Sequence, residues 1–121
     1  MKKILIAEDD KFLANAYRVK FTKAGFEVRL ANDGQETMSV LKEFVPDLIL
    51  LDLIMPVRDG FSALQEIKAN DGLKNIPVII ASNLGQKEDI DKCRVLGAVD
   101  YIIKSDISLD ELINKVNSFI R

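Results

Sequence analysis

Five polar residues in this 121-residue chain stand at the ends of short apolar segments. They are Glu8, Asp9, Asp52, Ser82 and Lys104. If the three carboxylates come together, each pair about 4 Å apart repels by roughly 4 kcal/mol, and a divalent cation would relieve that repulsion. Mg²⁺ suits such a site because it binds oxygen ligands and keeps several waters. A carboxylate can also be a nucleophile that accepts a phosphoryl group, whose oxygens a serine and a lysine can bind.

These residues can meet only if the segments before them are neighbouring strands. Apolar patterning predicts five strands: Lys3–Ala7, Phe26–Ala31, Asp47–Asp52, Ile76–Ser82 and Asp100–Lys104. Segments of helical period follow each strand, and strands that alternate with helices predict parallel strands covered on both faces. Right-handed crossovers then give a single doubly wound α/β sheet with five helices. Ligands of such a sheet bind beyond the carboxyl ends of its strands, where four of the five predicted strands carry ionisable or hydroxyl groups.

The five helices are predicted from apolar residues at helical spacing. They run through Leu13 to Ala24, Met38 to Phe44, Phe61 to Ile67, Gln86 to Leu96 and Leu109 to Phe119. The fourth has the weakest apolar face and the fifth the strongest. Asp9 or Asp10 could also serve as the N-cap of the first helix rather than as a ligand.

Composition excludes several classes of function. The net charge of −2 gives no basic footprint, so direct nucleic-acid binding is not expected. The absence of histidine excludes His-based triads and His-ligated zinc. Cys93 is the only cysteine, so no internal disulfide can form, and we interpret it as a core residue. No segment has the roughly 20 apolar residues of a membrane span, and the chain reads as a cytoplasmic protein.

The whole chain resembles the receiver domain of two-component response regulators, with chemotaxis regulators among them. The matching segments are ILIAEDD, PDLILLDLIMPVRDG, IPVIIAS and LGAVDYIIK, in that order, and the second contains the signature D-x-x-M-P-x-x-D-G. The resemblance implies a flavodoxin-like sheet with strand order 2-1-3-4-5. It also implies one receiver domain over residues 1–121, with no output domain in this chain.

The resemblance implies a role for each residue of the acidic group. Asp52 would be the phosphoacceptor and would form an aspartyl phosphate. Glu8 and Asp9 would hold Mg²⁺ together with Asp52 and the backbone carbonyl of Ile54. Mg²⁺ is the only cofactor implied.

The remaining implied roles concern binding and switching. Lys104 would bind the phosphoryl group, and Ser82 would be the switch hydroxyl that moves toward it. Tyr101 would be the aromatic side chain whose rotamer follows that movement. Without the resemblance, Tyr101 reads as a partly buried strand residue. The fourth helix and the loop after Ser82 would be the mobile part.

The implied function is that of a switch in phosphorelay signal transduction, not of a turnover enzyme. The phosphodonor would be a sensor histidine kinase or a phosphotransfer protein, and the chain would assist its own phosphorylation and dephosphorylation. The partner would be a downstream target protein or a detached output domain, and a homodimer is possible. The alternative is a receiver-like interaction module that works without phosphorylation. Ile54 two residues after Asp52 argues against a phosphohydrolase, and the acidic segment AEDDKF argues against flavin binding.

Three positions depart from the family pattern. Ser105 follows Lys104 where proline is usual, and because a cis bond before a non-proline residue costs about 2.5–4 kcal/mol, we expect a trans Lys104–Ser105 bond. Asn83 is larger than the usual residue after the switch hydroxyl. Ile54 and Leu84 are apolar where polar residues are common, and we expect them to hinder the water that hydrolyses an aspartyl phosphate.

Overall fold

One sheet of five parallel strands organises residues 1–120, the part of the chain that the computed structural model describes. The strands are β1 (Lys2–Ala7), β2 (Phe26–Ala31), β3 (Leu48–Leu51), β4 (Val78–Ser82) and β5 (Asp100–Ile103). They pair in the order β2-β1-β3-β4-β5. The predicted doubly wound α/β fold and its strand order are therefore confirmed.

Five helices connect or follow the strands within residues 1–120. They are α1 (Lys11–Lys23), α2 (Gly34–Leu41), α3 (Gly60–Ala69), α4 (Lys87–Val95) and α5 (Leu109–Phe119), and a short 3₁₀ turn, Lys104–Asp106, follows β5. Four of the helices begin at an Asp or Ser whose side chain accepts hydrogen bonds from backbone N–H groups of the first turn. None of these helices is both long and apolar enough to cross a lipid bilayer.

The helices cover both faces of the sheet, as the apolar strands predict. On β1, Leu5 belongs to a core cluster with Ile49 and Leu64, whereas Ile4 belongs to a second cluster with Phe21. The first cluster lies under α2, α3 and α4, and the second under α1 and α5. Cys93 is buried in the first cluster, as expected for a core residue. Both sheet faces are closed, so the carboxyl ends of the strands remain as the accessible edge.

One helix boundary differs from the prediction. Phe44 lies beyond α2, which ends at Leu41. Its N–H nevertheless donates to the Val40 carbonyl (2.9 Å), so one further turn carries the ring into the core. The Arg29 guanidinium and the Lys3 ammonium lie 5.0 and 5.9 Å from the ring centroid. Helical spacing placed Phe44 on the correct face without showing that regular helix ends before it.

The loop between β3 and α3 contains a strained residue. Val57 has φ +68°, and it is the one non-glycine residue with positive φ within residues 1–120. A β-branched side chain is unfavourable in this left-handed region. Val57 is 82% exposed, so its side chain gains little from packing in return. The next residue, Arg58, packs its carbonyl against Gly34 so closely that any Cβ there would overlap it, and this contact holds the loop at the start of α2.

Replacing Val57 with glycine should stabilise the protein. Glycine adopts positive φ without strain, so we expect Val57→Gly to raise the free energy of unfolding by about 1 kcal/mol, net of glycine's entropy cost. The measurement is urea denaturation followed by circular dichroism. Val45→Gly is the matched control, because Val45 is an exposed loop valine without positive φ. The control should lose stability, and a similar loss in Val57→Gly would contradict the prediction.

Candidate functional site

Three carboxylates meet at the carboxyl end of the sheet. One oxygen of each of Glu8, Asp9 and Asp52 lies within 4.8 Å of the others. The register explains this closeness, because Ala7 pairs with Leu51 and the Asp52 N–H donates to the Ala7 carbonyl (3.0 Å). Glu8 is only 2% exposed and Asp52 only 6%, whereas Asp9 is open to solvent. The predicted acidic cluster is therefore present in the structure.

The two acidic residues that follow Glu8 are used differently. Asp10 is the N-cap of α1, and its Oδ1 accepts from the N–H groups of Phe12 (3.0 Å) and Leu13 (3.1 Å). The Asp10 N–H donates to Oε2 of Glu8 (3.1 Å). The capping role that either Asp9 or Asp10 could have filled thus belongs to Asp10, and Asp9 remains free to point its carboxylate at the cluster.

Lys104 supplies the positive charge. Its Nζ donates to Oε1 of Glu8 and lies 2.9 Å from Oδ2 of Asp52. Every peptide bond within residues 1–120 is trans, so the predicted trans Lys104–Ser105 bond is confirmed. The ammonium therefore reaches the carboxylates from a 3₁₀ turn, with no proline needed at position 105.

The charged groups influence one another's ionisation. Burial raises the pKa of Glu8, and its hydrogen bonds to Lys104 and to the Asp10 N–H offset only part of that effect. Burial alone would lower the pKa of Lys104, but its hydrogen bonds to Glu8 and Asp52 and their charges outweigh burial, so the pKa is raised. Lys104 is thus a fixed cation, and one cation faces three carboxylates. The remaining negative charge suits a divalent cation.

Ser82 and Tyr101 are joined through the backbone of Leu84. Ser82 is buried at the end of β4, and its Oγ accepts from the Leu84 N–H (3.2 Å). The Tyr101 hydroxyl donates to the Leu84 carbonyl. Burial raises the pKa of Tyr101, so this hydroxyl stays protonated at neutral pH. Ser82 and Tyr101, the predicted switch pair, therefore both contact the backbone of Leu84. The sequence indicated Leu84 only as an apolar neighbour of the site.

An open cavity of about 320 Å³ unites most of the predicted residues. Its lining includes Glu8, Asp9, Asp52, Ile54, Ser82, Asn83 and Lys104. The Ile54 N–H donates to Oδ1 of Asp52 (3.3 Å), and its side chain is 60% exposed. Gly60 at the start of α3 lies against the Asp52 backbone, where any Cβ would overlap the Asp52 carbonyl oxygen. Tyr101 is the exception, because it lines a separate cavity beside α4 with Ile90 and Cys93.

Comparison with known proteins identifies the family. Residues 4–117 match the model of the response regulator receiver domain. The chain belongs to this family. Receiver domains are the signalling modules of two-component response regulators and not classical enzymes, and they bind Mg²⁺ at an acidic pocket.

Two curated relatives illustrate the range of receiver proteins. The chain is 36% identical over 104 residues to the chemotaxis protein CheY of Halobacterium salinarum, covering 85% of this chain and 84% of that protein. It is 32% identical over 121 residues to the DNA-binding dual master transcriptional regulator RpaA of Synechocystis sp., covering all of this chain and 50% of that protein. The chain thus spans about half the length of RpaA.

Two solved structures agree with the fold. The receiver domain of the Francisella response regulator 1452 has a TM-score of 0.89 and 35% identity, covering 98% of this chain and 96% of that one. The Mn²⁺-bound form of the response regulator Rcp1 has a TM-score of 0.86 and 30% identity, covering 98% and 94%. Rcp1 is thus a protein of this fold with a divalent cation bound.

The raised pKa of Glu8 predicts a pH-dependent stability difference. Because the folded pKa lies above the ordinary 4.5, the contribution of Glu8 to stability falls as the pH rises from about 4.5 through the folded pKa. Glu8→Gln removes this pH-dependent loss of stability and one of the carboxylates that repel each other. Lys104 still forms its ion pair with Asp52. We therefore expect the variant to be more stable than the wild type at pH 7 by about 1 kcal/mol without added metal.

The measurement is urea denaturation of both proteins between pH 4 and 8 in the presence of a chelator. The advantage of Glu8→Gln should grow with pH across that window and then level off. Glu43→Gln, at an exposed position away from the site, is the matched control and should track the wild type. A variant that is less stable at pH 7 would show that the Lys104 pairing outweighs the cost of burying Glu8.

Proposed function

We propose that this receiver domain accepts a phosphoryl group on Asp52 from a sensor histidine kinase or a phosphotransfer protein, in a reaction that requires Mg²⁺. The observation that carries the proposal is the asymmetric setting of the Asp52 carboxylate. Oδ2 pairs with the Lys104 ammonium at 2.9 Å, and Oδ1 accepts from the Ile54 N–H at 3.3 Å. The carboxylate is thus held in place at the floor of an open cavity, as a nucleophile must be.

The donor set fits Mg²⁺. Glu8, Asp9 and Asp52 would hold the ion through carboxylate oxygens, and the backbone carbonyl of Ile54 would be a further ligand. The lysine balances only one of the three negative charges, and the acids offer only oxygen ligands. When bound, Mg²⁺ supplies positive charge close to the phosphoryl oxygens. The Mn²⁺-bound Rcp1 structure supports divalent-cation binding by this fold.

The chemistry assigned to the chain's own residues is an in-line displacement. A carboxylate oxygen of Asp52 forms a bond to phosphorus as the bond between phosphorus and the donor's nitrogen or oxygen breaks, and that electron pair leaves with the donor. Lys104 and Ser82 would bind the transferred phosphoryl oxygens, because each carries a donor on the cavity wall. Phosphorylation replaces one carboxylate charge with about −1.5 to −2 and three acceptor oxygens.

The hydrogen bonds at Leu84 support a mechanism by which phosphorylation would change the surface of the domain. If the Ser82 hydroxyl turns toward the phosphoryl group, Oγ leaves the Leu84 N–H and the loop after β4 loses a constraint. The Leu84 carbonyl would then carry the change to the Tyr101 hydroxyl. Helix α4 buries only Cys93 among its residues, so it is weakly held and suited to respond. The altered surface would contact a downstream target protein or an output domain, or a second copy of the chain.

Phosphoryl transfer to Asp52 can be tested by intact mass. Incubation with Mg²⁺ and a small phosphodonor should add one phosphoryl group to the wild type and none to Asp52→Asn, because the amide is not a nucleophile. Omitting Mg²⁺ should abolish the gain. Asp71→Asn is the matched control, because Asp71 is an exposed aspartate outside the cavity, and it should be phosphorylated normally.

The same experiment separates the alternatives. No phosphoryl gain with either a small donor or a histidine kinase, in a folded protein, would contradict the proposal. That outcome would favour a receiver-like interaction module that works without phosphorylation. Asn83, which lines the acidic cavity, and Ser105, which follows Lys104, would then be the first departures to replace with the residues usual in the family.

The exposed side chain of Ile54 should prolong the phosphorylated state. It lies on the cavity wall next to Asp52, where an apolar group hinders an attacking water. Ile54→Asn replaces it with an amide that can hydrogen-bond to that water. We expect dephosphorylation to be about three- to tenfold faster, since one hydrogen bond contributes about 0.5–1.5 kcal/mol.

The measurement follows loss of the phosphoryl group by mass spectrometry after the donor is removed. Val95→Asn is the matched control, because Val95 is an exposed valine on α4 that does not line the acidic cavity. It should keep the wild-type lifetime. An unchanged lifetime in Ile54→Asn would show that Ile54 does not limit access of water.

A further inference from the structure

A second cavity adjoins the acidic one. It has a volume of about 390 Å³ and lies between α1 and the start of α5, and we call it the α1–α5 groove. Leu13, Asn83 and Lys104 line both cavities, so Lys104 forms part of the wall between them. The groove is mostly apolar, with Tyr17 of α1 in its lining. Neither the sequence motifs nor the proposed chemistry uses this space.

The Tyr17 side chain is mostly buried, and its hydroxyl has no hydrogen-bond partner among residues 1–120. The side chain is 4% exposed, and within residues 1–120 no hydrogen bond involves its hydroxyl. No fully enclosed side-chain oxygen or nitrogen lacks a partner in the same part of the chain, so the hydroxyl must reach the groove. Burial raises the pKa of Tyr17 to about 12, and the hydroxyl is therefore neutral at physiological pH. A neutral hydroxyl both donates and accepts, and here it faces the same space as Lys104.

The Lys104 ammonium has one N–H donor left after its hydrogen bonds to Glu8 and Asp52. An ammonium donates three hydrogen bonds, and Glu8 and Asp52 accept two. Glu8 would share its carboxylate oxygens with a bound divalent cation, and the Lys104 ammonium would lose that acceptor and be repelled by the added charge. Lys104 must then find another acceptor while staying close to Asp52. Of the other polar side chains in the groove, Asn83, Ser105 and Ser108 are exposed to water. The Tyr17 side chain is mostly buried, so its hydroxyl at the groove wall meets less competition from water.

We propose that Tyr17 is a positioning residue for Lys104. Its hydroxyl accepts a hydrogen bond from the lysine ammonium when a divalent cation occupies the acidic cluster, and it holds the lysine on the groove side of Asp52. This inference rests on the proposed function, because it concerns the metal-loaded form of the same site. In the structure the hydroxyl is open to the groove and has no partner among residues 1–120.

A double-mutant cycle on Mg²⁺ affinity tests the proposal without requiring phosphorylation. Tyr17→Phe keeps the ring in the core and removes only the hydroxyl. In the wild-type background it should weaken Mg²⁺ binding about ten- to hundredfold, the loss expected for one hydrogen bond to a charged group. In the Lys104→Met background, Tyr17→Phe should not change Mg²⁺ affinity, because the ammonium that the hydroxyl would bind is absent. Calorimetry in all four proteins measures this.

A second measurement reports on the lysine directly. The side-chain carbon and nitrogen resonances of Lys104 should be alike in the wild type and Tyr17→Phe without metal, and should differ once Mg²⁺ is bound. A purely structural role would shift them in both states or in neither. Thr22→Val is the matched control, because it removes an exposed hydroxyl from the same helix outside the groove, and it should change neither measurement.

The outcomes separate this proposal from the phosphorylation proposal. Equal weakening of Mg²⁺ binding by Tyr17→Phe in both backgrounds, or no weakening in either, would overturn the positioning role. So would a wild-type protein that does not bind Mg²⁺. A wild type that binds Mg²⁺ and shows the expected cycle, but accepts no phosphoryl group, would keep the Tyr17 role and remove the phosphoacceptor function.

Discussion

The structure depends on the burial of two carboxylates, Glu8 and Asp52, around one ammonium. A buried charge without a partner is strongly unfavourable, and Lys104 offsets this cost at the end of the sheet because it reaches both acids. The three residues come from the ends of β1, β3 and β5, which are not all neighbours in the sheet. Their pairing therefore ties together the edge at which the strands end, and the strands must stay in register for the charges to meet.

The rest of the fold positions the polar residues at this edge of the sheet. Two apolar clusters close the faces of the sheet, so polar groups at the strand ends have a single direction in which to face. Asp10 caps α1 and accepts from the N–H groups of its first turn, so Asp9 is not needed as the cap. Gly60 allows α3 to begin directly against the backbone of Asp52. Both features are local, and together they leave Glu8, Asp9 and Asp52 as the three acids whose oxygens cluster at the cavity.

Much of this could be predicted from the sequence, because apolar runs locate strands and the parallel topology brings strand ends together. The acidic cluster and the strand order followed from those two facts and from the family resemblance. The partner of each oxygen could not be predicted, since it depends on side-chain rotamers that burial selects. Tyr17 lies within the segment that predicts the first helix, but residue type and spacing do not show which partner its hydroxyl has. Likewise, Leu84 acts through backbone atoms, which leave no trace in residue type.

The charge balance explains why such a site can have two states. One ammonium cannot neutralise three carboxylates. In the structure Lys104 pairs with the two buried acids, Glu8 and Asp52, and leaves Asp9 without a cation among residues 1–120. Under the proposed function, positive charge added at the acids would weaken the pairing of Lys104 with Glu8, and negative charge added on Asp52 would attract both the lysine and the Ser82 hydroxyl. Each pairing contributes a few kcal/mol at most in a partly solvated site, comparable with the hydrogen bonds at Leu84 that must be exchanged. Because these terms are of similar size, the proposed phosphoryl group could change the partners of Ser82 and Tyr101 without unfolding the sheet.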